Sequence, residues 1–164
     1  MADVTKSTLT GFTAGILKKD ACIVLVKTDW NAAITDQLER GCIAELEKHG
    51  VAVIVLTVPG AVEIPFAIRS YWDHAGKKDK PDAFIALGCV IKGDTPHFDY
   101  VCNLVTDGVG QLNLSLPVPT IFGVLTVNTE VQAMERIGGK HGHKGEEAAL
   151  TALKMISLVE SFKK

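Results

Sequence analysis

The sequence has no Cys-x-x-C pair, no run of basic residues and no apolar stretch approaching the roughly 20 residues that span a bilayer. Each absence removes a class of function. The four cysteines, Cys22, Cys42, Cys89 and Cys102, lie inside apolar patterns without metal-site or redox spacing. They read as reduced, small core residues of a cytoplasmic protein. A net charge of -2 and a pI near 6.2 provide no positive field for nucleic acid or an anionic membrane. The first twenty residues, "MADVTKSTLTGFTAGILKKD", lack the continuous apolar core of a signal peptide. What remains is small-molecule chemistry or protein assembly.

With 164 residues, 47% hydrophobic and 22% charged, the chain fits one domain, 1–164, with residues 1–20 as an N-terminal arm. Four short apolar runs, 21–26, 51–56, 83–91 and 120–127, are bounded by Gly, Pro or Asp and rich in β-branched residues. They read as strands, and their lack of polar alternation predicts cover on both faces. Between them run helical patterns. Ile34, Leu38, Cys42 and Leu46 form one stripe that stops at Gly50, and Phe98, Val101, Val105, Val109 and Leu112 form another. The last segment opens on Glu146 and Glu147 and closes on Lys163 and Lys164, charges that suit the two ends of a helix dipole. Alternating strands and helices predict an α/β fold, a three-layer α/β/α sandwich around a four-stranded parallel sheet.

Ligands of such sheets bind beyond the carboxyl ends of the strands. That rule selects four loops: "KTDWN", "TVPGAVEIP", "KGDTPH" and "TVNTE". In the third, Gly93 gives backbone freedom, Thr95 suits an N-cap and Pro96 the first helical position. A helix start there either simply caps itself or holds an anion such as phosphate. His97, in the first turn, is either surface filler or a proton carrier, since the positive end of a helix dipole favours neutral imidazole. Trp30 either covers the core or presents a flat face to a heteroaromatic ring. Glu63, held among Pro59, Gly60 and Pro65, suits a polyol or amine, or else its own helix dipole. In "ERIGGKHGHKGEE", Arg136 can clamp phosphate bidentately, with Lys140 and Lys144 adding charge. His141 and His143 lack a third ligand nearby, so a metal site is not expected, and the segment reads as a Gly-rich, solvated joint between two helices.

Taken in order, "DWN", "VPGAVEIPFA", "ALGCVIKGDTPHFDYVC", "VPTIFGVLTVNTEVQAMER" and "GGKHGHKGEEAA" resemble the lumazine synthase family. The resemblance implies a flavodoxin-like fold whose N-terminal arm adds a strand to a neighbouring subunit. It implies condensation of 5-amino-6-ribitylamino-uracil with 3,4-dihydroxy-2-butanone 4-phosphate, without metal or organic cofactor. Trp30 would stack on the pyrimidine, with Asn31, Ala61, Val62 and Glu63 lining the pyrimidine and ribityl pocket. Val90 and Ile91 would hold the uracil edge through backbone atoms, beside Cys89. Gly93, Asp94 and Thr95 would cradle phosphate, Asp94 through its backbone N–H, and His97 would move protons. Phe122, Arg136 and Lys144 would come from the adjacent member of a pentamer, alone or in a 60-subunit shell, with riboflavin synthase as a partner.

Three positions depart from the family's common residues. Trp30 and Val62 stand where Phe is common, and Cys89 where Thr is common. The larger face of Trp30 implies riboflavin binding. Two other classes compete, a flavin-storage protein on the same fold and a scaffold whose shell is the function. Retention of the whole constellation favours catalysis. A receiver-type signalling domain fits less well, because "KTDW" lacks the acidic pair that would hold magnesium.

Overall fold

The structure is a computed structural model that describes residues 17–163. Most of the N-terminal arm, residues 1–16, lies outside the described residues, and so does its proposed strand exchange. From Cys22 the chain runs β1 (Cys22–Thr28), α1 (Ala32–Lys48), β2 (Ala52–Val58), a 3-10 turn (Ala61–Glu63) and α2 (Ile64–His74). It continues through β3 (Ala83–Ile91), α3 (His97–Ser115), β4 (Thr120–Val127) and α4 (Glu130–Met134). It closes with β5 (Ile137–Gly139), β6 (Gly142–His143) and α5 (Lys144–Ser161).

The first four strands form one parallel sheet in the order β2-β1-β3-β4. Because successive side chains of a strand point to opposite faces, the sheet divides its apolar residues between two cores. Ile23, Leu25, Ile85 and Leu87 meet Ile34, Leu38, Cys42 and Leu46 of α1 and Ala149, Ala152 and Leu153 of α5. Val24, Val26, Phe84 and Ala86 meet Ile64 and Ile68 of α2 and Val105, Val109 and Leu112 of α3. The expected α1 stripe is buried throughout. Of the α3 stripe, Val105, Val109 and Leu112 are buried and Phe98 and Val101 half-buried. Phe84 is fully buried, with Tyr71 and Trp72 edge-on at 6.0 and 6.4 Å. Each such side chain contributes about 1.5–3 kcal/mol through removal from water. The sandwich and its flavodoxin-like character match the expectation.

Several local expectations are corrected. Strand β2 is not covered on both faces, for it is the sheet edge, and Ile54 and Val55 remain 38% and 37% exposed. An apolar edge strand has the same local pattern as a central one, so position alone makes the difference. Thr95 does not cap α3. Pro96 takes the cap position and no side chain accepts there, which leaves the first N–H groups of α3 without a side-chain partner. The "solvated joint" is an antiparallel hairpin, β5 paired with β6. Lys163 lies past the last turn of α5, paired with Glu160, and Lys164 is outside the described residues. The short helix α4 was not anticipated, although "TEVQ" carried its signal. Thr129 Oγ1 accepts from Gln132 N, and Gln132 Oε1 accepts from Asn128 N at 2.8 Å, close to a capping box.

Candidate active site

The order β2-β1-β3-β4 places the chain's reversal of direction between β1 and β3, where open α/β sheets bind their ligands. The loop after β1 is built rigidly. Thr35 Oγ1 donates to the Thr28 carbonyl at 2.8 Å, and Thr28 Oγ1 to the Trp30 carbonyl at 3.2 Å. The N–H groups of Asp29 and Trp30 donate to the carbonyls of Val58 and Pro59, joining this loop to the end of β2. Asn31 then adopts the left-handed conformation, φ 59°, which Asn tolerates better than most residues. That turn aims its side chain across the sheet, where Nδ2 donates to the Cys89 carbonyl of β3 at 2.8 Å. Trp30 is left 73% exposed above this anchored turn.

After β2, extended Gly60 leads into the 3-10 turn that carries Ala61, buried, Val62, half-buried, and Glu63, exposed. A Cβ on Gly60 would lie 3.1 Å from Glu63 Oε2, so the carboxylate folds back over the glycine. Pro65 fixes the start of α2 by packing against Gly108 of α3, where any side chain would collide with its ring. A cleft of about 490 Å³ opens beside this turn, lined by Val58, Pro59, Glu63, Phe66 and Tyr71.

After β3, Val90 and Ile91 are half-buried, and Lys92 N–H donates to the Val127 carbonyl at 2.9 Å. Gly93, Asp94, Thr95, Pro96 and His97 are all exposed. Gly93 is not in the left-handed region and a Cβ there would meet nothing within 4 Å, so neither its turn nor its packing demands glycine. The thiol of Cys89 lies in the core on the α1 side, where burial and then Glu130 push its pKa up to about 11. It stays protonated at neutral pH and is no nucleophile. The same holds for Cys42, pushed up to about 12 by burial and then Glu39. No described cysteine is in a disulfide.

The remaining expected residues gather elsewhere. Phe122, 41% exposed, pairs with Ala86, whereas the carboxyl end of β3 at Ile91 pairs with Val127. Five residues of strand, about 16 Å at 3.3 Å each, separate Phe122 from that end. It lines a second cleft, of about 520 Å³, together with Asn113, Lys144, Glu147, Thr151 and Met155. Lys144 Nζ binds both carboxylate oxygens of Glu147, at 2.8 and 2.7 Å, and Arg136 Nη1 donates to the Gln132 carbonyl at 2.7 Å. Lys144 N–H donates to the Arg136 carbonyl at 2.8 Å, so the two cations are neighbours across the base of the hairpin. Lys140 hydrogen-bonds Glu135 and holds its carboxyl below the usual range, with His141 and Arg136 adding smaller effects.

The structure therefore gathers Trp30, Asn31, Ala61, Val62, Glu63, the β3 end and His97 along one edge. Phe122 and Lys144 line a separate cleft on the β4 side, and Arg136 is joined to Lys144 across the base of the hairpin. Among the described residues no three His, Cys, Asp or Glu side chains are placed to hold a metal ion. His143 instead caps α5, accepting from Glu146 N–H. Missed from sequence were the bridge from Asn31 to Cys89, for which the only signal is an Asn at a strand-to-helix turn, and Ser70, Tyr71 and His74 in the cleft beside Glu63.

A sequence model described as 6,7-dimethyl-8-ribityllumazine synthase matches residues 20–160. A protein of that description from Porphyromonas gingivalis is 50% identical over 143 residues, 85% of this chain and 86% of the relative. One from Bacteroides fragilis is 48% identical over 143 residues, covering 85% and 97% respectively. One from Bdellovibrio bacteriovorus is 50% identical over 137 residues, covering 83% and 74%.

Proposed function

Since the chain belongs to the 6,7-dimethyl-8-ribityllumazine synthase family, we propose that its two groups of residues are the two halves of one active site shared between subunits. The enzyme condenses 5-amino-6-ribitylamino-uracil with 3,4-dihydroxy-2-butanone 4-phosphate, releasing phosphate and water, in riboflavin biosynthesis. Its substrates are small molecules and it works as an oligomer. The observation that carries the composite reading is the roughly 16 Å of strand between Phe122 and the carboxyl end of the sheet. One chain keeps the halves apart, and a neighbour in a pentamer brings the second half to the first. The half-exposed Ile54 and Val55 of β2 and the cleft beside Glu63 support this reading, as apolar surface that a neighbour would cover.

In this reading Trp30 stacks on the pyrimidine, while Asn31, Ala61, Val62 and Glu63 line its ribityl side. The backbone of Val90 and Ile91 holds the uracil edge, with the Cys89 carbonyl already engaged by Asn31. N–H groups at the start of α3 that no side chain caps, with Gly93, Asp94 and Thr95, receive the phosphate, since a helix N-terminus attracts anions. Arg136 and Lys144 of the neighbour close on that phosphate, Lys144 exchanging its contact with Glu147 for the ligand.

The chemistry then asks for proton transfers. The pyrimidine amine adds to the ketone and loses water to form an imine. Elimination breaks the C–O bond to phosphate, the resulting enol tautomerises to a ketone, and the second amine adds to that carbonyl and expels a second water to close the ring. His97 takes and returns protons through these steps. Arg136 and Lys144 stabilise the phosphate as it leaves, and joint binding of two substrates supplies the proximity gain. The four cysteines, all free, fit a cytoplasmic enzyme. Twelve such pentamers in a 60-subunit shell, with riboflavin synthase as a partner, complete the reading.

Mixing both substrates with pure protein should raise lumazine absorbance and free phosphate together, faster than the spontaneous condensation. A rate no greater than that background would remove the assignment. A second expected outcome concerns Trp30. Its exposed ring should quench the fluorescence of added riboflavin, and Trp30→Ala should abolish the quenching. Unchanged riboflavin fluorescence with the parent protein would rule this out.

A further inference from the structure

The hairpin carrying Arg136 and Lys144 is short, exposed and glycine-rich, which raises the question of what holds it still. Ile137 pairs with His143, and just outside that pair the Lys144 N–H donates to the Arg136 carbonyl at 2.8 Å. Directly opposed residues of an antiparallel pair share one face. Ile137 packs against the core on the α1 side, so His143 is directed inward with it. Lys144, the first residue of α5, opens instead onto the cleft of Phe122, and the Arg136 guanidinium is held by the Gln132 carbonyl.

Inward, the imidazole of His143 lies on α1 at Gly41. A Cβ at that position would fall 2.5 Å from Nδ1 and 2.6 Å from Nε2, closer than any side chain allows. A Cβ on Gly145, in the first turn of α5, would lie 3.1 Å from Cε1 of the same ring. Gly41 sits in the middle of α1, where glycine costs about 0.5–1 kcal/mol relative to Ala. The seat for the ring is a physical reason for glycine there. Through Nδ1 the ring accepts from Glu146 N–H at 3.4 Å, which caps α5.

We propose that His143 is a positioning residue for phosphate binding: seated on Gly41 and capping α5, it holds the hairpin so that Arg136 and Lys144 address one phosphate. The proposal rests on the reading of those two cations as phosphate ligands. His143 touches neither substrate. It acts by fixing against α1 the hairpin and the start of α5, which carry the two cations between them, so its loss should loosen phosphate recognition and leave the pyrimidine platform intact.

The test measures the KM of each substrate, and inhibition by inorganic phosphate, in the full-length assembly. His143→Ala should raise the KM for the butanone phosphate and the inhibition constant for phosphate by about tenfold, as small misplacements of binding groups do. The pyrimidine KM should stay within about twofold of the parent. His143→Asn should restore most of the loss, because Asn is a strong N-cap. Gly41→Ala keeps every proposed ligand and removes the seat, so it should copy His143→Ala and add nothing further in the double variant. Gly41→Ala also serves as the test if His143→Ala does not fold. Equal rises in both KM values, unchanged phosphate inhibition in Gly41→Ala, or additive losses in the double variant would overturn the proposal. Arg136→Ala separates the two layers. If it leaves phosphate inhibition unchanged, the ligand reading fails. If it weakens inhibition while His143→Ala and Gly41→Ala do not, only the positioning role fails.

Discussion

A chain carrying both Trp30→Ala and His97→Ala, coexpressed with a chain carrying Arg136→Ala, should form mixed assemblies with about one quarter of the parent activity, although each chain alone is nearly inactive. The fraction follows from composition. In the proposed shared site Trp30 and His97 come from one subunit and Arg136 from its neighbour. In a random equal mixture half of the subunits supply an intact first half and half of the neighbours supply an intact second. Alone, Arg136→Ala should lower kcat/KM for the butanone phosphate by about a hundredfold, the usual loss on removing a group that stabilises developing charge. Its effect on that substrate should exceed the effect of His97→Ala, because bound water can replace part of a proton carrier and nothing replaces the fork of the guanidinium. A mixed assembly no more active than the average of its parents would show that both halves come from the same chain. The position of Phe122 on β4, opposite Ala86 and far from Ile91, argues against that outcome.

The largest stability effect is expected at Gly145→Ala. A Cβ there would overlap the Leu38 carbonyl oxygen and lie 2.9 Å from the Leu38 carbonyl carbon. Both atoms belong to the backbone of α1 and cannot rotate away as a side chain can. Helix α5 would have to retreat from α1, opening the core that Leu38, Ala149, Ala152 and Leu153 fill. Forced overpacking of this kind costs about 3 kcal/mol, which for a chain of this size lowers Tm by about 6–12 °C. Thermal scans by circular dichroism at matched protein concentration would read it, since assembly makes Tm depend on concentration. A midpoint within 2 °C of the parent would contradict the close approach of the two helices.

Much of this architecture was legible from local pattern, because local pattern reflects burial. The stripe Ile34, Leu38, Cys42 and Leu46 could be read as a helix face since those four residues do face the core. The four apolar runs could be read as strands for the same reason. The order β2-β1-β3-β4 could not, as nothing in "VAVIVL" marks it as an edge. The loops at the carboxyl ends of the strands were found from topology, and the resemblance assigned their residues. The proposed division into two halves needed the register of β4 against β3, a long-range pairing with no local signature. The same applies to Gly41 and His143, which lie a hundred positions apart and explain each other only once α1 and the hairpin are in contact. Thr95 shows the opposite failure. A good capping residue was present in the right place, and the backbone at Pro96 did without it.

The bond from Asn31 to the Cys89 carbonyl has a thermodynamic consequence for the first substrate. With the Trp30 turn also tied to Val58 and Pro59, the surface proposed to meet the pyrimidine is held in place by bonds within the protein itself. Ligand arrival then freezes little of the protein, so stacking is not offset by the entropy of arranging a loop. The β1 loop is an anvil and not a lid. Selectivity for the ring then comes from the shape of a surface that is already there.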